Sequence, residues 1–239
     1  MMFPVVILAG GLATRLRPLT ETIPKSLIDV NGEPFIAHQL RLLREHNITH
    51  VTLCLGYLGE RVMDYVGDGK QFDLHVTYSF DGPTLLGTAG AIKQALPLLA
   101  DNFFVLYGDS YLTCDYAVVQ QTFSARKKMA LMTVFRNQGL WDKSNVEFKH
   151  PEILVYDKQQ QTERMHYIDY GLGIFNKNAF NAVVENTVYD LAVLYQHLLQ
   201  QSQLAAHEVT ERFYEVGSFS GISELSTYLT HKKMATTAL

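Results

Sequence analysis

The feature that most constrains the fold of this chain is an apolar run near the N-terminus that ends in two adjacent glycines. The aliphatic residues Val5–Leu8 lead into Gly10 and Gly11, and the cations Arg15 and Lys25 follow. A strand that ends in glycines exposes backbone N–H groups that a phosphate can approach closely. Because two cations come next, a polyphosphate bound there can be neutralised. The segment therefore predicts a strand followed by a nucleotide-binding turn.

This turn differs from two familiar phosphate-binding loops. The P-loop requires G-x-x-x-x-G-K-[ST], and no lysine follows these glycines in that frame. The dinucleotide-binding loop requires G-x-G-x-x-G, but the glycines here are adjacent and Arg15 stands where the third glycine would fall. Both loops are therefore excluded.

The first half of the chain alternates strands and helices. Helices of this length between strands imply right-handed crossovers and a mostly parallel sheet. Ligands bind outside the carboxyl ends of the strands in such sheets. Gly10 and Asp109 both follow strand ends, so we expect them to meet in space. The predicted strands are 5–8, 48–55, 75–79 and 103–107, and the predicted helices are 35–46, 60–66 and 88–99.

The second half has more strands and shorter connections. Strands are predicted at 129–135, 145–148, 153–156 and 166–175, and helices at 190–200 and 219–231. This pattern indicates an antiparallel or mixed extension of the same sheet. We therefore predict one domain over 1–239, with a nucleotide-binding part near 1–110 and a second, substrate-binding part near 111–215.

Composition bears on the compartment and the partners. The chain has 239 residues, 47% of them hydrophobic, which is ample for a core, and its net charge of −4 gives no general attraction to nucleic acid. The sequence contains no run of about 18 apolar residues, so it predicts no membrane span. We see no signal peptide and expect a cytoplasmic protein. Cys54 and Cys114 each lie in or beside an apolar run, so we predict reduced core thiols.

Asp109 is the first candidate metal ligand, because it follows the buried strand 103–107 in a Gly-Asp turn. Magnesium takes one or two carboxylates and completes its octahedron with phosphate oxygens and water. The alternative for this aspartate is a cap or turn residue. The histidines form no H-x-x-x-H or H-E-x-x-H pattern, so we do not expect a zinc site.

The opening segment resembles that of the sugar-phosphate nucleotidyltransferases. Residues 10–16 (GGLATRL) followed by Pro24-Lys25 are similar to the family pattern G-G-x-G-T-R-L then P-K, with Ala13 in place of the third glycine. Gly108-Asp109 resembles the family's Gly-Asp metal ligand. The resemblance extends from Ile7 to the last helix. It implies a Rossmann-like three-layer α/β/α fold with a mostly parallel mixed sheet.

The resemblance also implies a nucleotide site, with Arg15, Lys25 and Asp109 as catalytic residues. Residues 86–91 (LGTAGA) match the family segment L-G-T-[AG]-G-[AS], where small residues let a planar base lie against the backbone. The helix that follows is expected to offer free N–H groups. A tight helix start is the alternative reading. The implied nucleotide-binding residues are Leu8, Ala9, Gly10, Gly11, Thr14, Gly87 and Thr88.

A sugar-phosphate site is implied by two looser motifs. Residues 155–158 (VYDK) resemble the family's acidic-Lys pair, with Lys158 on the 1-phosphate and Asp157 on a sugar hydroxyl, although Asp-Lys is also an ordinary turn pair. Residues 170–175 (YGLGIF) resemble N-[AG]-G-[IV]-[YF], which places Gly173 against the sugar ring. Gly171 replaces the expected asparagine, and Asp169 can offer hydrogen bonds instead. Residues 138–144, which include the single tryptophan, are a candidate loop that closes over substrate.

Glu215 is the second metal ligand that the resemblance implies. Residues 213–218 (FYEVGS) are similar to the family pattern aromatic-x-D-x-G-[ST], with glutamate in place of aspartate. The longer side chain can reach a metal directly or through water. The alternative is an exposed strand carboxylate.

The reaction implied by the resemblance joins an NTP to a sugar 1-phosphate, giving an NDP-sugar and pyrophosphate, with Mg²⁺ as cofactor. Among short members of the family, the resemblance favours the GDP-heptose or GDP-mannose type. One alternative is a cytidylyl- or uridylyltransferase that acts on phosphocholine or another sugar 1-phosphate. Another is a non-catalytic regulatory homologue that binds nucleotide sugar, against which the intact Arg15, Lys25, Asp109 and Glu215 argue. We expect a monomer or homodimer.

Overall fold

A central nine-stranded sheet organises the protein. The structure is a computed structural model that describes residues 1–12, 14–139, 141 and 143–237. In chain order the strands are β1 (Val5–Leu8), β2 (Asp29–Val30), β3 (Glu33–Pro34), β4 (His50–Leu55), β5 (His75–Phe80), β6 (Asn102–Tyr107), β7 (Ser110–Leu112), β8 (Ala130–Arg136), β9 (Val146–Lys149), β10 (Glu152–Tyr156), β11 (Tyr167–Asn176), β12 (Leu204–Val209) and β13 (Phe213–Glu215). The α-helices are α1 (Phe35–Glu45), α2 (Gly59–Val66), α3 (Gly87–Ala95), α4 (Tyr116–Arg126), α5 (Leu191–Gln200) and α6 (Phe219–Thr237).

Four parallel strands form the N-terminal part of the sheet, in the order β5-β4-β1-β6. β1 lies between two neighbours, with Val5 opposite both Val51 of β4 and Phe104 of β6. Because helices cover both faces of this part, the strand is apolar at successive positions rather than at alternate ones. The predicted parallel sheet is confirmed.

β11 extends the sheet from β6 in the antiparallel direction. It also pairs antiparallel with β8 and, at Tyr167, with β9. β12 pairs parallel with β8, so the second half is mixed, as predicted. The prediction missed α4 and β12. One sheet runs through both halves of the chain, while the division into nucleotide and sugar parts stays a prediction.

Helices pack on both faces of the sheet and make the predicted three-layer α/β/α fold. Buried residues of α1, α2 and α4 share one core cluster, and those of α3 and α5 share the other. α6 packs in a third, smaller cluster with Val30, Phe35 and Leu42. This last contact joins α6 to β2 and α1.

A two-stranded ladder links the two distant metal-ligand candidates. β13 pairs antiparallel with β7, and Glu215 lies opposite Ser110, the residue after Asp109. The Val216 N–H also donates to the Asp109 carbonyl over 2.9 Å. Backbone pairing therefore brings Glu215 beside Asp109, which the distance between them in sequence does not suggest.

Both cysteines are buried and free, in agreement with the prediction of core thiols. Loss of solvent raises the pKa of the Cys114 thiol to about 12 and raises that of Cys54 as well. Both thiols therefore stay protonated near neutral pH. Within the described residues, we find no helix that combines the length and the apolar character needed to cross a membrane.

Candidate active site

Two cavities meet where the parallel strands end. The first has a volume of about 220 Å³ and the second about 870 Å³. Tyr107 and Asp109, at the end of β6, line both. Lys25 lines the first cavity and Arg15 the second. Of the predicted nucleotide-binding residues, the first cavity is lined by Leu8, Ala9, Gly10, Gly11, Gly87 and Thr88.

The ends of β1 and β6 come together through Gly108. Its N–H donates to the Leu8 carbonyl over 2.9 Å. A Cβ atom on Gly108 would lie 2.5 Å from that carbonyl oxygen, so a side chain here would push the strand ends apart. This close approach places Gly10 and Asp109 on one cavity, as their positions after strand ends predicted.

Lys25 and Asp109 form an ion pair at the boundary of the cavities. Lys25 Nζ donates to Asp109 Oδ2 over 2.9 Å, and the Ser110 hydroxyl donates to Oδ1 over 3.3 Å. Lys25 reaches this point from a short 3-10 helix, Lys25–Leu27, that follows Pro24. The side chains are 20% and 27% exposed, so a ligand in either cavity can reach the pair.

Arg15, Asp109 and Glu215 converge on a single point beside Gly217. A Cβ atom on Gly217 would lie 2.5 Å from Glu215 Oε2, 3.0 Å from Arg15 Nη2 and 3.5 Å from Asp109 Oδ2. The backbone N–H of Gly217 donates to Glu215 Oε2. Three predicted site residues from distant parts of the chain are therefore neighbours.

Gly221 makes room for the glutamate that replaces the usual aspartate. A Cβ atom on Gly221 would lie 2.1 Å from Glu215 Oε1 and 2.5 Å from the Glu215 carbonyl oxygen. The Ser218 hydroxyl donates to Oε1 and, through its own oxygen, accepts the Gly221 N–H over 3.0 Å. The first turn of α6 therefore holds the longer carboxylate in place.

The donor set suits a hard cation that shares its ligands with a substrate. Asp109 and Glu215 offer carboxylate oxygens, which Mg²⁺ prefers, and Mg²⁺ needs only one or two of them when phosphates supply the rest. Among the described residues, no group of three or more His, Cys, Asp or Glu side chains is arranged to hold a metal. Two carboxylates would be enough to hold Mg²⁺ where phosphate oxygens and water supply its other ligands.

At its other end, the first cavity is bounded by the start of α3. Gly87 has a φ of +72°, a left-handed conformation that favours glycine, and its Cβ would lie 2.8 Å from the Tyr189 carbonyl oxygen. The N–H groups of Ala89 and Gly90 both donate to that carbonyl. The expectation of free N–H groups at this helix start is therefore corrected for these two. The small residues are needed because the chain near Tyr189 passes against them.

Lys158 lines the second cavity, and its role in sugar-phosphate binding stays a prediction. Its Nζ is 3.8 Å from Asp169 Oδ2 and 5.4 Å from the Tyr107 ring centroid. The Asp169 side chain is only 5% exposed and accepts a hydrogen bond from the Tyr156 hydroxyl over 3.4 Å. The buried Asp169 carboxylate therefore orients the Lys158 ammonium group, which also lies near the Tyr107 ring.

Three predicted site residues lie outside the cavity linings. Asp157 Oδ1 accepts the N–H groups of Gln159 and Gln160, which lower the pKa of its carboxyl, an arrangement typical of a turn residue. Its contact with a sugar hydroxyl stays a prediction. Thr14 is exposed in a 3-10 turn, Thr14–Leu16, and its neighbour Arg15 points to the site instead.

Gly173 is the third of these residues, and its predicted contact with the sugar ring stays a prediction. It is buried inside β11, where a Cβ atom would lie 2.2 Å from the Tyr195 hydroxyl and 3.3 Å from the Leu131 carbonyl oxygen. Gly171 lines the second cavity. Glycine at position 173 therefore allows β11 to pack closely against Tyr195 and Leu131.

Sequence reasoning missed Asp81, which follows β5 and lines the first cavity. The strand-end rule that found Asp109 would also have found it. It missed Arg212 too, whose guanidinium carbon lies 4.0 Å from the Trp141 ring centroid and 4.7 Å from that of Tyr214. No sequence signal indicates that stack. Ala13 of the glycine turn, and Leu140 and Asp142 of the predicted closing loop, lie outside the described residues.

Relatives of known activity match the chain over most of its length. An N-acetylmuramate alpha-1-phosphate uridylyltransferase of Neisseria meningitidis is 28% identical over 92% of this chain and 95% of its own. A D-glycero-alpha-D-manno-heptose 1-phosphate guanylyltransferase of Campylobacter jejuni is 24% identical over 89% of this chain and 93% of its own. The resemblance to sugar-phosphate nucleotidyltransferases is thereby confirmed.

A solved structure shares the fold. HddC from Yersinia pseudotuberculosis complexed with GMP-PN superposes with a TM-score of 0.77 at 22% identity, over 95% of this chain and 100% of that one. The family described as nucleotidyl transferase matches residues 4–148, more than half of the chain, including Arg15, Lys25 and Asp109. Because this match covers more than half of the chain, the chain belongs to the nucleotidyl transferase family.

Proposed function

We propose that this protein transfers a nucleotidyl group from an NTP to a sugar 1-phosphate and releases pyrophosphate, with Mg²⁺ as cofactor. The observation that carries the proposal is the convergence of Lys25, Asp109, Arg15 and Glu215 where the two cavities meet. Two cavities that share a wall of opposite charges suit two anionic substrates that react with each other.

The proposed reaction requires the protein to neutralise the charge of its substrates more than it requires a general acid or base. An oxygen of the sugar 1-phosphate attacks the α-phosphorus of the NTP, and the bond from that phosphorus to the β-phosphate oxygen breaks. Pyrophosphate leaves with the electron pair. Because the attacking oxygen is already ionised, no general base is required. The protein has to hold two mutually repelling anions in line and neutralise them.

The residues at the cavity boundary suit this task. Lys25 lies where an α-phosphate in the first cavity would meet the incoming phosphate, and Arg15 offers a planar fork to phosphate oxygens. Asp109 and Glu215 would hold Mg²⁺, which when bound neutralises charge on the phosphates. Lys158 also lines the second cavity, where it would hold the 1-phosphate of the sugar.

We propose a heptose or mannose 1-phosphate as acceptor and a guanine nucleotide as donor. The Campylobacter relative is named for a heptose 1-phosphate and a guanylyl group, and the Neisseria relative for an N-acetylmuramate 1-phosphate and a uridylyl group. A uridylyl- or cytidylyltransferase is the alternative within the same class, and it differs only in the base and the sugar.

The second cavity disfavours phosphocholine as acceptor. A choline group requires aromatic faces free to surround it. The guanidinium of Arg212 already lies over the Trp141 and Tyr214 rings, and it pairs with Glu224. Because a cation covers those rings, a quaternary ammonium group would be repelled from them.

A substrate panel tests the proposal. The wild-type protein is assayed with each of five NTPs against mannose, heptose, glucose and N-acetylmuramate 1-phosphates and phosphocholine, with and without Mg²⁺, and pyrophosphate release is measured. Turnover with one NTP and one sugar 1-phosphate, only with Mg²⁺, is the expected result. Binding of a nucleotide sugar without turnover of any pair would instead support the regulatory homologue.

A further inference from the structure

Asp81 provides a carboxylate at the end of the first cavity away from the ion pair of Lys25 with Asp109. It directly follows β5, and its backbone N–H donates to the Leu55 carbonyl over 2.9 Å. Its Oδ2 accepts the Leu86 N–H over 3.0 Å. These two bonds fix the residue at both ends, so the carboxylate has a defined place in the cavity wall.

The surroundings of this carboxylate are mostly apolar. Cys54, Leu85 and Ala91 line the same end of the cavity. Loss of solvent raises the pKa of Asp81, and the hydrogen bond from Leu86 opposes that rise only in part. Within the described part of the chain, we find no cation paired with it. A half-buried carboxylate oxygen without a protein donor is stabilised when a ligand supplies one.

We propose that Asp81 selects the base of the nucleotide by accepting hydrogen bonds from the N1–H and 2-amino groups of guanine. Guanine presents two adjacent N–H donors on its Watson–Crick edge, and a carboxylate can accept from both. This inference rests on the proposed function, because it assigns the first cavity to an NTP and its far end to the base.

The other bases match this carboxylate less well. Uracil presents a single N–H between two carbonyl oxygens, which would repel an ionised carboxylate. Adenine and cytosine each present one amino group beside a ring nitrogen acceptor. Discrimination therefore arises both from the bonds that guanine makes and from the repulsion that the other bases meet.

The 2-amino group provides the sharpest test. Inosine triphosphate differs from GTP only in lacking that group. Dissociation constants for GTP, ITP and UTP are measured by titration calorimetry with Mg²⁺, for the wild type, Asp81→Asn and Asp81→Glu. Asp73→Asn is the control, because it removes the same charge at an exposed turn just before β5.

The wild type should bind GTP more tightly than ITP and UTP, on the order of 10-fold to 100-fold, the range for hydrogen bonds to a charged group. In Asp81→Asn the preference for GTP over ITP should largely disappear, while Asp81→Glu keeps part of it and Asp73→Asn all of it. A loss of the preference for GTP over ITP in Asp81→Asn measures the energetic coupling between the Asp81 carboxylate and the 2-amino group of guanine.

Two results would overturn the inference. One is a wild type that binds UTP better than GTP, or binds GTP and ITP equally, and this measurement needs no variant to fold. The other is an equal loss of affinity for GTP, ITP and UTP in Asp81→Asn. That result would mean that Asp81 only holds the backbone at Leu86 in place and does not contact the base. If UTP were turned over with a sugar 1-phosphate, the proposed function would stand and only the base assignment would fail.

Discussion

Lys25 Nζ lies 2.9 Å from Asp109 Oδ2, although the two residues are 84 positions apart in sequence. The pair joins the segment after β1 to the end of β6, at the boundary that both cavities share. A metal bound at Asp109 would compete with Lys25 for the same oxygen. The lysine would then be available to a phosphate in the first cavity, so metal binding and phosphate binding are expected to be coupled.

Asp109→Asn should abolish turnover and leave the fold intact. The change removes a charge that would hold Mg²⁺ against the phosphates, which should lower the rate of pyrophosphate release on the order of 10³-fold or more. Asp101→Asn is the matched control, because Asp101 is exposed at the opposite end of β6. Circular dichroism and thermal unfolding check the fold. Near-normal release by Asp109→Asn at saturating Mg²⁺ would refute the assignment.

Arg15→Ala should lower kcat rather than raise KM alone. The Arg15 guanidinium lies beside Glu215 and Asp109. In the proposed reaction charge would shift there toward the departing pyrophosphate, and loss of one preorganised donor costs on the order of 10²- to 10³-fold in kcat. Arg17→Ala is the control, because Arg17 is exposed two residues away and lines neither cavity. Steady-state kinetics separate the two parameters. A change in KM alone would show that Arg15 only anchors the ground state.

Lys158→Ala should weaken binding of the sugar 1-phosphate and leave NTP binding nearly unchanged. Lys158 lines the second cavity and is absent from the lining of the first. Loss of one hydrogen-bonded charge should raise the dissociation constant for the sugar 1-phosphate roughly 10- to 100-fold. Lys149→Ala, at an exposed lysine of β9, is the control. If both affinities fell equally, the division into two sites would be wrong.

Gly221→Ala should raise the Mg²⁺ concentration needed for half-maximal activity. The new Cβ would lie 2.1 Å from Glu215 Oε1 and 2.5 Å from the Glu215 carbonyl oxygen, so the carboxylate has to move. Helix propensity alone would favour alanine by about 1 kcal/mol, which makes a loss of function informative. Ser223→Ala, two residues along α6, is the control. An unchanged Mg²⁺ dependence would remove Glu215 from the metal site.

Gly173→Ala should reduce stability without a specific effect on the sugar 1-phosphate. Its Cβ would lie 2.2 Å from the Tyr195 hydroxyl in the sheet interior, and such overpacking costs about 1–3 kcal/mol. Urea unfolding measures the loss. Adding Tyr195→Phe removes the clashing oxygen and should restore part of the stability. A large rise in KM for the sugar 1-phosphate with normal stability would instead support Gly173 as a residue of the sugar site.

Local patterns allowed much of the fold to be predicted. β1 and β6 are apolar because both faces are covered, and that requirement is visible residue by residue. The rule that ligands bind at the carboxyl ends of parallel strands needs only the strand ends, so Gly10 and Asp109 were expected together. α4 was missed because Val118 is exposed beside buried Val119, which blurs the apolar face.

Contacts between distant segments decided the rest. Glu215 joins Asp109 because β13 pairs with β7, and β12 is a strand because β8 provides its partner. Along β11 the register against β8 shifts between Asp169 and Gly173. Gly171 lines the second cavity, whereas Gly173 packs against Tyr195, a difference that the local sequence does not contain. Strand periodicity and strand ends are local properties that the sequence determines, whereas register and the meeting of side chains depend on which strands pair in three dimensions.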